Sequence, residues 1–309
     1  MINYRKVIEM RKKFCSISLL LFATVIWGCA FVAQRSGMDH IGPFTFQAVR
    51  CLLAVIGLIP VIAIFDLFKK DGKTFVCRWC DKKLWKAGLL CGIPLFLACN
   101  LQQLGLVDVD AGKSGFLTAM YIVFVPLIGI FLRKKPSILI PFSVVMAVAG
   151  LYFLCCKNGL KIQLADLMLL GCGLMFAVQI HFVDLFAESV DPLRLNAIQA
   201  LVCAVLSAVV MIFTEQPTWK AIVDCSIPLC YTGFLSMGMG YALQIIGQKN
   251  LETTAASLIM SLESVFAVLS GALLLHERMS SWEILGCALV FGAVILSQIP
   301  APTFGKKRQ

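Results

Sequence analysis

The sequence predicts an all-α integral membrane protein of ten transmembrane helices in two inverted-topology five-helix repeats, and three observations carry that prediction. Of the 309 residues, 60% are hydrophobic and only 14% charged, with a mean hydropathy of +0.89, so the chain has too little polar surface to cover a soluble globule of its size. The apolar residues are gathered into ten runs, most of them near the ~20 residues needed to cross the hydrocarbon core. Finally, stretches of the first half recur in the second at one fixed offset of 142 residues, as from Tyr121 to Glu263.

The runs fall at 14–34, 42–65, 84–106, 113–132, 138–155, 164–185, 195–213, 227–247, 253–275 and 282–299. In lipid every backbone N–H and C=O must be satisfied within the segment, so runs of this length and continuity read as helices rather than barrel strands. The first follows a basic N-terminus as a secretory signal would, yet it is longer than a signal core and no small-x-small cleavage site follows, so it reads as a span. It carries Trp27, Phe31 and Gln34 at i, i+4, i+7, on one helical face. The second contains Arg50, roughly two turns inside, where a guanidinium must face protein; it is read as a structural intramembrane charge. Residues 66–83 form the one substantial loop. The third span contributes Asn100, Gln102 and Gln103, the fourth Ser114, Thr118 and Tyr121, the sixth Gln179, and the eighth Tyr241, Gln244 and Gln248.

The ninth run holds a single carboxylate near its middle, Glu263. An acid at mid-depth costs a few kcal/mol unless it meets protein or water. Singly, such glutamines read as interhelical glue; as a set they read as a wetted cavity. The candidate cavity residues are therefore Trp27, Phe31, Gln34, Gln102, Gln103, Thr118, Tyr121, Gln179, Tyr241, Gln244 and Glu263, with Glu263 also the candidate for proton coupling.

Lysine and arginine counts set the orientation. With the N-terminus on one side, that side collects 20 of the basic residues and the other six. Both termini are thereby placed in the cytoplasm, on one side as an even number of spans requires. The repeat is gapless across three spans: Leu101-Gln102 matches Leu243-Gln244, and Gly105, Gly129 and Gly150 match Gly247, Gly271 and Gly292. Five spans per copy make the copies, 1–157 and 158–309, enter the membrane from opposite sides, the arrangement of secondary transporters with a site near mid-membrane. Gln102 and Gln244 are then expected toward opposite membrane faces, at opposite gates.

Several other readings are set aside. The net charge of +10 is spread over short tracts between spans and does not form a nucleic-acid-binding face. Most of the 14 cysteines lie inside apolar runs as small core residues. Cys77-Arg78-Trp79-Cys80 has metal spacing but no second ligand pair nearby. Ala111-Gly112-Lys113-Ser114 ends like a phosphate loop, but the leading position holds Val107. His181 and Asp184 lack an accompanying nucleophile. No cofactor and no metal are expected.

The motifs resemble the drug/metabolite transporter superfamily, in its EamA-type ten-span branch, over nearly the whole length. Trp27-Gly28-Cys29-Ala30-Phe31 resembles the first-span motif, Pro43 with Arg50 the second-span motif, and Ala111 through Val125-Pro126-Leu127 the fourth-span signature. Ala255-Ala256-Ser257-Leu258, Leu262-Glu263 and Gly271 to His276-Glu277-Arg278 resemble the ninth-span pattern, except that Ser264 stands where the family usually has proline, a departure that favours a straighter helix there. The resemblance implies a bacterial cytoplasmic-membrane carrier, often an exporter of amino acids or related amphipathic compounds, working by alternating access. Its partners would be a small-molecule substrate and the lipid bilayer, with a homodimer admissible and no nucleic acid. The competing readings are a membrane-embedded enzyme, for which no metal or nucleophile cluster is found in the sequence, and a passive channel or non-transporting receptor.

Overall fold

The computed structural model describes residues 4–69, 72, 74–109, 111–133, 138–155, 163–274 and 280–299. Outside them lie the His276-Glu277-Arg278 end of the ninth-span pattern and part of the basic tally, including Lys134, Lys135, Lys157, Lys161, Lys306, Lys307 and Arg308. Among the described residues nine helical stretches are long and apolar enough to cross a membrane, and the shorter apolar helix Ile140–Leu154 completes a ten-helix membrane protein.

The first three spans are α1 (Tyr4–Gly37), α2 (Pro43–Leu67) and α4 (Lys82–Asp108), with a short loop helix α3 (Phe75–Trp79) between the last two. The fourth span is split into α5 (Ala111–Thr118) and α6 (Tyr121–Phe131). The fifth, sixth and seventh are α7 (Ile140–Cys155), α8 (Leu164–Phe186) and α9 (Pro192–Thr214). After the short α10 (Trp219–Asp224), the eighth span runs through α11 (Ser226–Cys230), a π-helix (Tyr231–Gly240) and α12 (Tyr241–Gln248). The ninth is split into α13 (Thr253–Met260) and α14 (Leu262–Leu274), and the tenth is α15 (Ser281–Gln298).

Hydropathy predicts the fourth and ninth spans as unbroken, and the structure breaks both. At the first break the ladder tightens to i→i−3 bonds, Met120 N to Leu117 O at 3.3 Å and Ile122 N to Ala119 O at 3.0 Å. Gly173 of α8 lies against this turn so closely that a Cβ there would stand 2.9 Å from the Thr118 carbonyl oxygen. In the ninth span the Ser257 and Ser261 hydroxyls donate back to Thr254 O and Leu258 O, both at 2.8 Å, a habit of serine that bends helices. The helix is interrupted at Ser261 without the family's proline. Ser264 does not straighten it, and its hydroxyl donates to Gly115 O of α5 at 3.3 Å.

The π-helix departs from the regular i→i−4 ladder, and three consecutive carbonyls in it accept side-chain donors from other spans. Trp27 Nε1 donates to Ser236 O at 3.2 Å, and Asn196 Nδ2 to Met237 O at 3.1 Å and Gly238 O at 2.7 Å. Gly233 lets this wider helix approach α2, since a Cβ there would meet the Arg50 carbonyl oxygen at 2.9 Å.

The principal interhelical contacts bring α2 onto α9, α7 onto α15, and α4 onto both α8 and α9. The eighth span packs on α1 and α2, α1 also packs on both halves of the ninth span, and α8 packs on both halves of the fourth. The antiparallel pair α2–α9 is tied at each end by carboxylates. At one end Glu215 accepts from Phe44 N at 2.9 Å and Thr45 N at 2.8 Å, satisfying orphan donors of the α2 N-terminus. At the other, Arg194 pairs with Asp66 while Lys69 reaches Asp191 at 2.6 Å. The Arg194 guanidinium, 1% exposed, is roofed by Trp79 and Phe75 of the loop helix, 5.3 and 5.7 Å from their ring centroids.

Candidate functional site

The two helix breaks place Tyr121 at the first position of α6 and Glu263 at the second of α14. The Tyr121 hydroxyl donates to Glu263 Oε1 at 3.2 Å, and the residues are 4% and 8% exposed. They face a cavity whose wall also includes Trp27, Phe31, Gln34, Arg50, Gln102, Phe176, Gln179, Ser236, Tyr241, Gln244 and Met260. The cavity measures about 40 Å³. On that measure one water needs at least ~10–15 Å³, so this arrangement admits a few waters and is too tight for a metabolite.

Aromatic rings supply the apolar part of the wall. Trp27 and Tyr241 lie 5.1 Å apart between ring centroids, Tyr121 and Phe176 6.4 Å apart at an interplanar angle of 78°. Edge-on and tilted pairs of this kind are stabilised by the ring quadrupoles and hold the wall's shape.

Arg50, read from sequence as a structural charge, also forms part of this wall. Its Nε donates to Gln47 Oε1 at 2.7 Å and its Nη1 to Gln34 Oε1 at 2.9 Å, while Gln47 in turn donates to Cys99 O at 2.8 Å. Both side-chain acceptors are neutral amides. Among the described residues no carboxylate forms an ion pair with Arg50, which is 3% exposed. The cavity therefore carries a positive group and a separate acid.

From the same wall a chain of amides crosses three spans. Gln244 Nε2 donates to Gln248 Oε1 at 2.9 Å and Gln179 Oε1 at 3.1 Å, and Gln179 Nε2 donates to Gln199 Oε1 at 3.2 Å. Gln199 Nε2 then donates to Asn196 Oδ1 at 2.9 Å, and Asn196 reaches the π-helix. Gln244 Oε1 is buried on the cavity wall with no hydrogen-bond partner among the described residues, leaving an acceptor open to a donor from a ligand or water.

Nine of the eleven cavity residues expected from sequence stand on this one wall. The two others do not. Gln103, fully buried, turns its amide to Gln34 O at 3.3 Å and packs behind the wall. Thr118 ends α5 at the break, fully buried, with Oγ1 4.0 Å from Cys172 Sγ. Gln102 and Gln244, expected at opposite gates, both border the same cavity. Gln47, Asn196, Gln199 and Ser236 were missed: each lies near a helix end or in a glycine-rich stretch, and its partner is on another span.

The rest of the chemistry is sparse. His181 Nε2 is 2.9 Å from Val125 O, against the backbone. Cys77 and Cys80 are exposed free thiols. Among the described residues no group of three or more His, Cys, Asp and Glu side chains could hold a metal.

Comparison with known proteins gives a consistent result. The sequence model of the EamA-like transporter family matches residues 15–156 and again 163–298. A protein of Archaeoglobus fulgidus described as an uncharacterized transporter is 28% identical over 295 residues, covering 93% of this chain and 86% of its own. The uncharacterized transporter YoaV of Bacillus subtilis is 25% identical, covering 94% and 97%. A chloroplastic WAT1-related protein of Arabidopsis thaliana is 22% identical, covering 93% and 70%. A crystal structure sharing 17% identity superposes with a TM-score of 0.75 over 92% of this chain and 96% of that one, showing the same fold.

Proposed function

The chain belongs to the EamA-like transporter family, and from that premise we propose that this membrane transporter is a secondary carrier exporting small amphipathic metabolites, such as amino acids or related compounds, by alternating access. The observation that carries the reading is the cavity in which Tyr121 and Glu263 meet from two broken helices, with Arg50 on the same wall. Discontinuous helices at a buried mid-membrane site are where carriers bind polar groups. Glu263 is the partner for a substrate amine or a transported proton, Arg50 and the open Gln244 oxygen are the partners for the substrate's remaining polar groups, and Trp27, Phe31 and Tyr241 take its apolar part.

The repeat supports alternating access. Tyr121 and Glu263 are 142 residues apart, and so are Cys99 and Tyr241, whose Sγ and Oη lie 3.8 Å apart. Contacts between repeat-equivalent residues are expected on a pseudo-two-fold axis, which supports two inverted copies, 1–157 and 158–309, rocking about a shared site. The family and the excess of basic residues on one side support a bacterial inner-membrane location with both termini cytoplasmic.

Counterflow in proteoliposomes tests the carrier. Vesicles preloaded with one member of an amino-acid panel should transiently accumulate the same labelled compound, because a carrier exchanges faster than it delivers net flux. Solute leak without trans-stimulation would indicate a channel, and no flux for any member of the panel would remove the proposed substrate class.

A further inference from the structure

Where the third span begins, the molecule carries a second concavity, remote from the central cavity. It is an open groove of about 540 Å³, walled by Cys80 from the loop and by Lys82, Trp85, Lys86, Leu89 and Leu90 from the first turns of α4. Lys82, Lys86, Leu89, Ile93 and Leu97 follow one another at steps of three or four residues and so share one face of α4. That face points outward: Leu89 is 48% exposed, Ile93 46% and Leu97 40%, and both lysines are exposed. Lys86 to Leu97 spans about 16 Å of helix, the depth of one leaflet's hydrocarbon.

The polar end of this stripe carries two ammonium groups, those of Lys82 and Lys86, that make no ion pair among the described residues. Asp81, the carboxylate next to them, caps the helix by accepting from Lys83 N at 2.8 Å. Trp85, 41% exposed, donates its indole N–H to Trp79 O at 2.7 Å, which fixes the ring as the groove's side wall at the boundary where such rings settle.

We propose that this groove is a binding site for an anionic phospholipid, its phosphodiester between Lys82 and Lys86 and one acyl chain along Leu89, Ile93 and Leu97. Charge complementarity selects the ligand: two exposed ammonium groups above a leaflet-deep apolar stripe match a headgroup with net negative charge, and a zwitterionic headgroup would bring its own cation against them. A soluble anion would leave the apolar stripe unused.

Native mass spectrometry of the delipidated full chain, titrated with phosphatidylglycerol or phosphatidylcholine, tests this. Wild type should retain phosphatidylglycerol in preference, and Lys82→Gln/Lys86→Gln should lose about tenfold to thirtyfold in affinity. Lys83→Gln, off the groove, should bind as wild type does, which separates the site from overall charge. Thermal unfolding of each variant checks that the fold survives, and Leu89→Asn/Ile93→Asn gives an independent probe of the acyl stripe that leaves both lysines in place. Equal binding of both lipids, unchanged phosphatidylglycerol binding by the double lysine variant, or full displacement by millimolar inorganic phosphate would each overturn the proposal.

Discussion

Arg50 shows how much rests on a single side chain in a low-dielectric interior. A buried guanidinium without a counter-ion is tolerable only if its donors are taken up, and here two glutamine oxygens at 2.7 and 2.9 Å take up two of them. Lysine keeps the charge but has no planar fork to reach both acceptors at their present angle. Arg50→Lys should lose one charge-assisted bond, about 1.5–3 kcal/mol of stability, and lower transport at least tenfold; unchanged thermal unfolding and unchanged flux would show that the fork is dispensable. The sequence makes Arg50 conspicuous because a cation two turns inside an apolar run has few places to go. It makes Gln47, Asn196 and Gln199 inconspicuous, since an amide within two turns of a span's end reads as solvated. Only the packing of α2 on α4 and α9, and of α9 on α4, α12 and the π-helix, takes them out of water.

At the scale of elements, the broken helices and the π-helix decide where polar backbone faces the interior. Hydropathy reports how long a run is and not which carbonyl its N–H groups choose, so the breaks at Met120 and Ser261 were invisible in runs that look continuous. Gly173 holds the first break by contact, and Gly173→Ala would put a methyl 2.9 Å from the Thr118 carbonyl oxygen. Overpacking of that kind costs about 1–3 kcal/mol. Thermal unfolding should fall accordingly, and an unaltered melting temperature would mean the turn relaxes freely. The tie at the end of α2 and α9 gives a pH-dependent counterpart. Burial pushes the Asp191 carboxyl up, but the hydrogen bond from Lys69, the Arg194 backbone N–H and the two cations outweigh it, and the pKa ends below its ordinary value. A lowered carboxylate stabilises the fold above its unfolded pKa of ~3.9, and that stabilisation disappears as pH falls through the folded value. The stability gap between wild type and Asp191→Asn should thus be full at pH 7 and close below about pH 4; a gap independent of pH would show that the tie is not ionic.

On the scale of the whole molecule, ten spans were legible because lipid demands apolar runs of a fixed length, a constraint written directly in composition. The meeting of Tyr121 and Glu263 was foreshadowed by their shared offset and position in their spans. Which side of each helix faces the cavity was not: Thr118 turns away from it although it stands one turn before Tyr121, and Gln103, adjacent to Gln102, shares the face of Asn100 instead. On the proposed function Glu263 titrates or binds as part of transport and is more than a packed acid. Glu263→Gln keeps the shape and can still accept from the Tyr121 hydroxyl while removing the ionisable group. The direct measurement is flux through proteoliposomes containing wild type or Glu263→Gln, across pH 5.5 to 8.5 and with or without a pH gradient, at matched protein density. Wild-type flux should depend on pH, and the variant's remaining flux should be at least tenfold lower and flat with pH; a folded variant with the wild-type rate and pH profile would mean that Glu263 is only a packed acid.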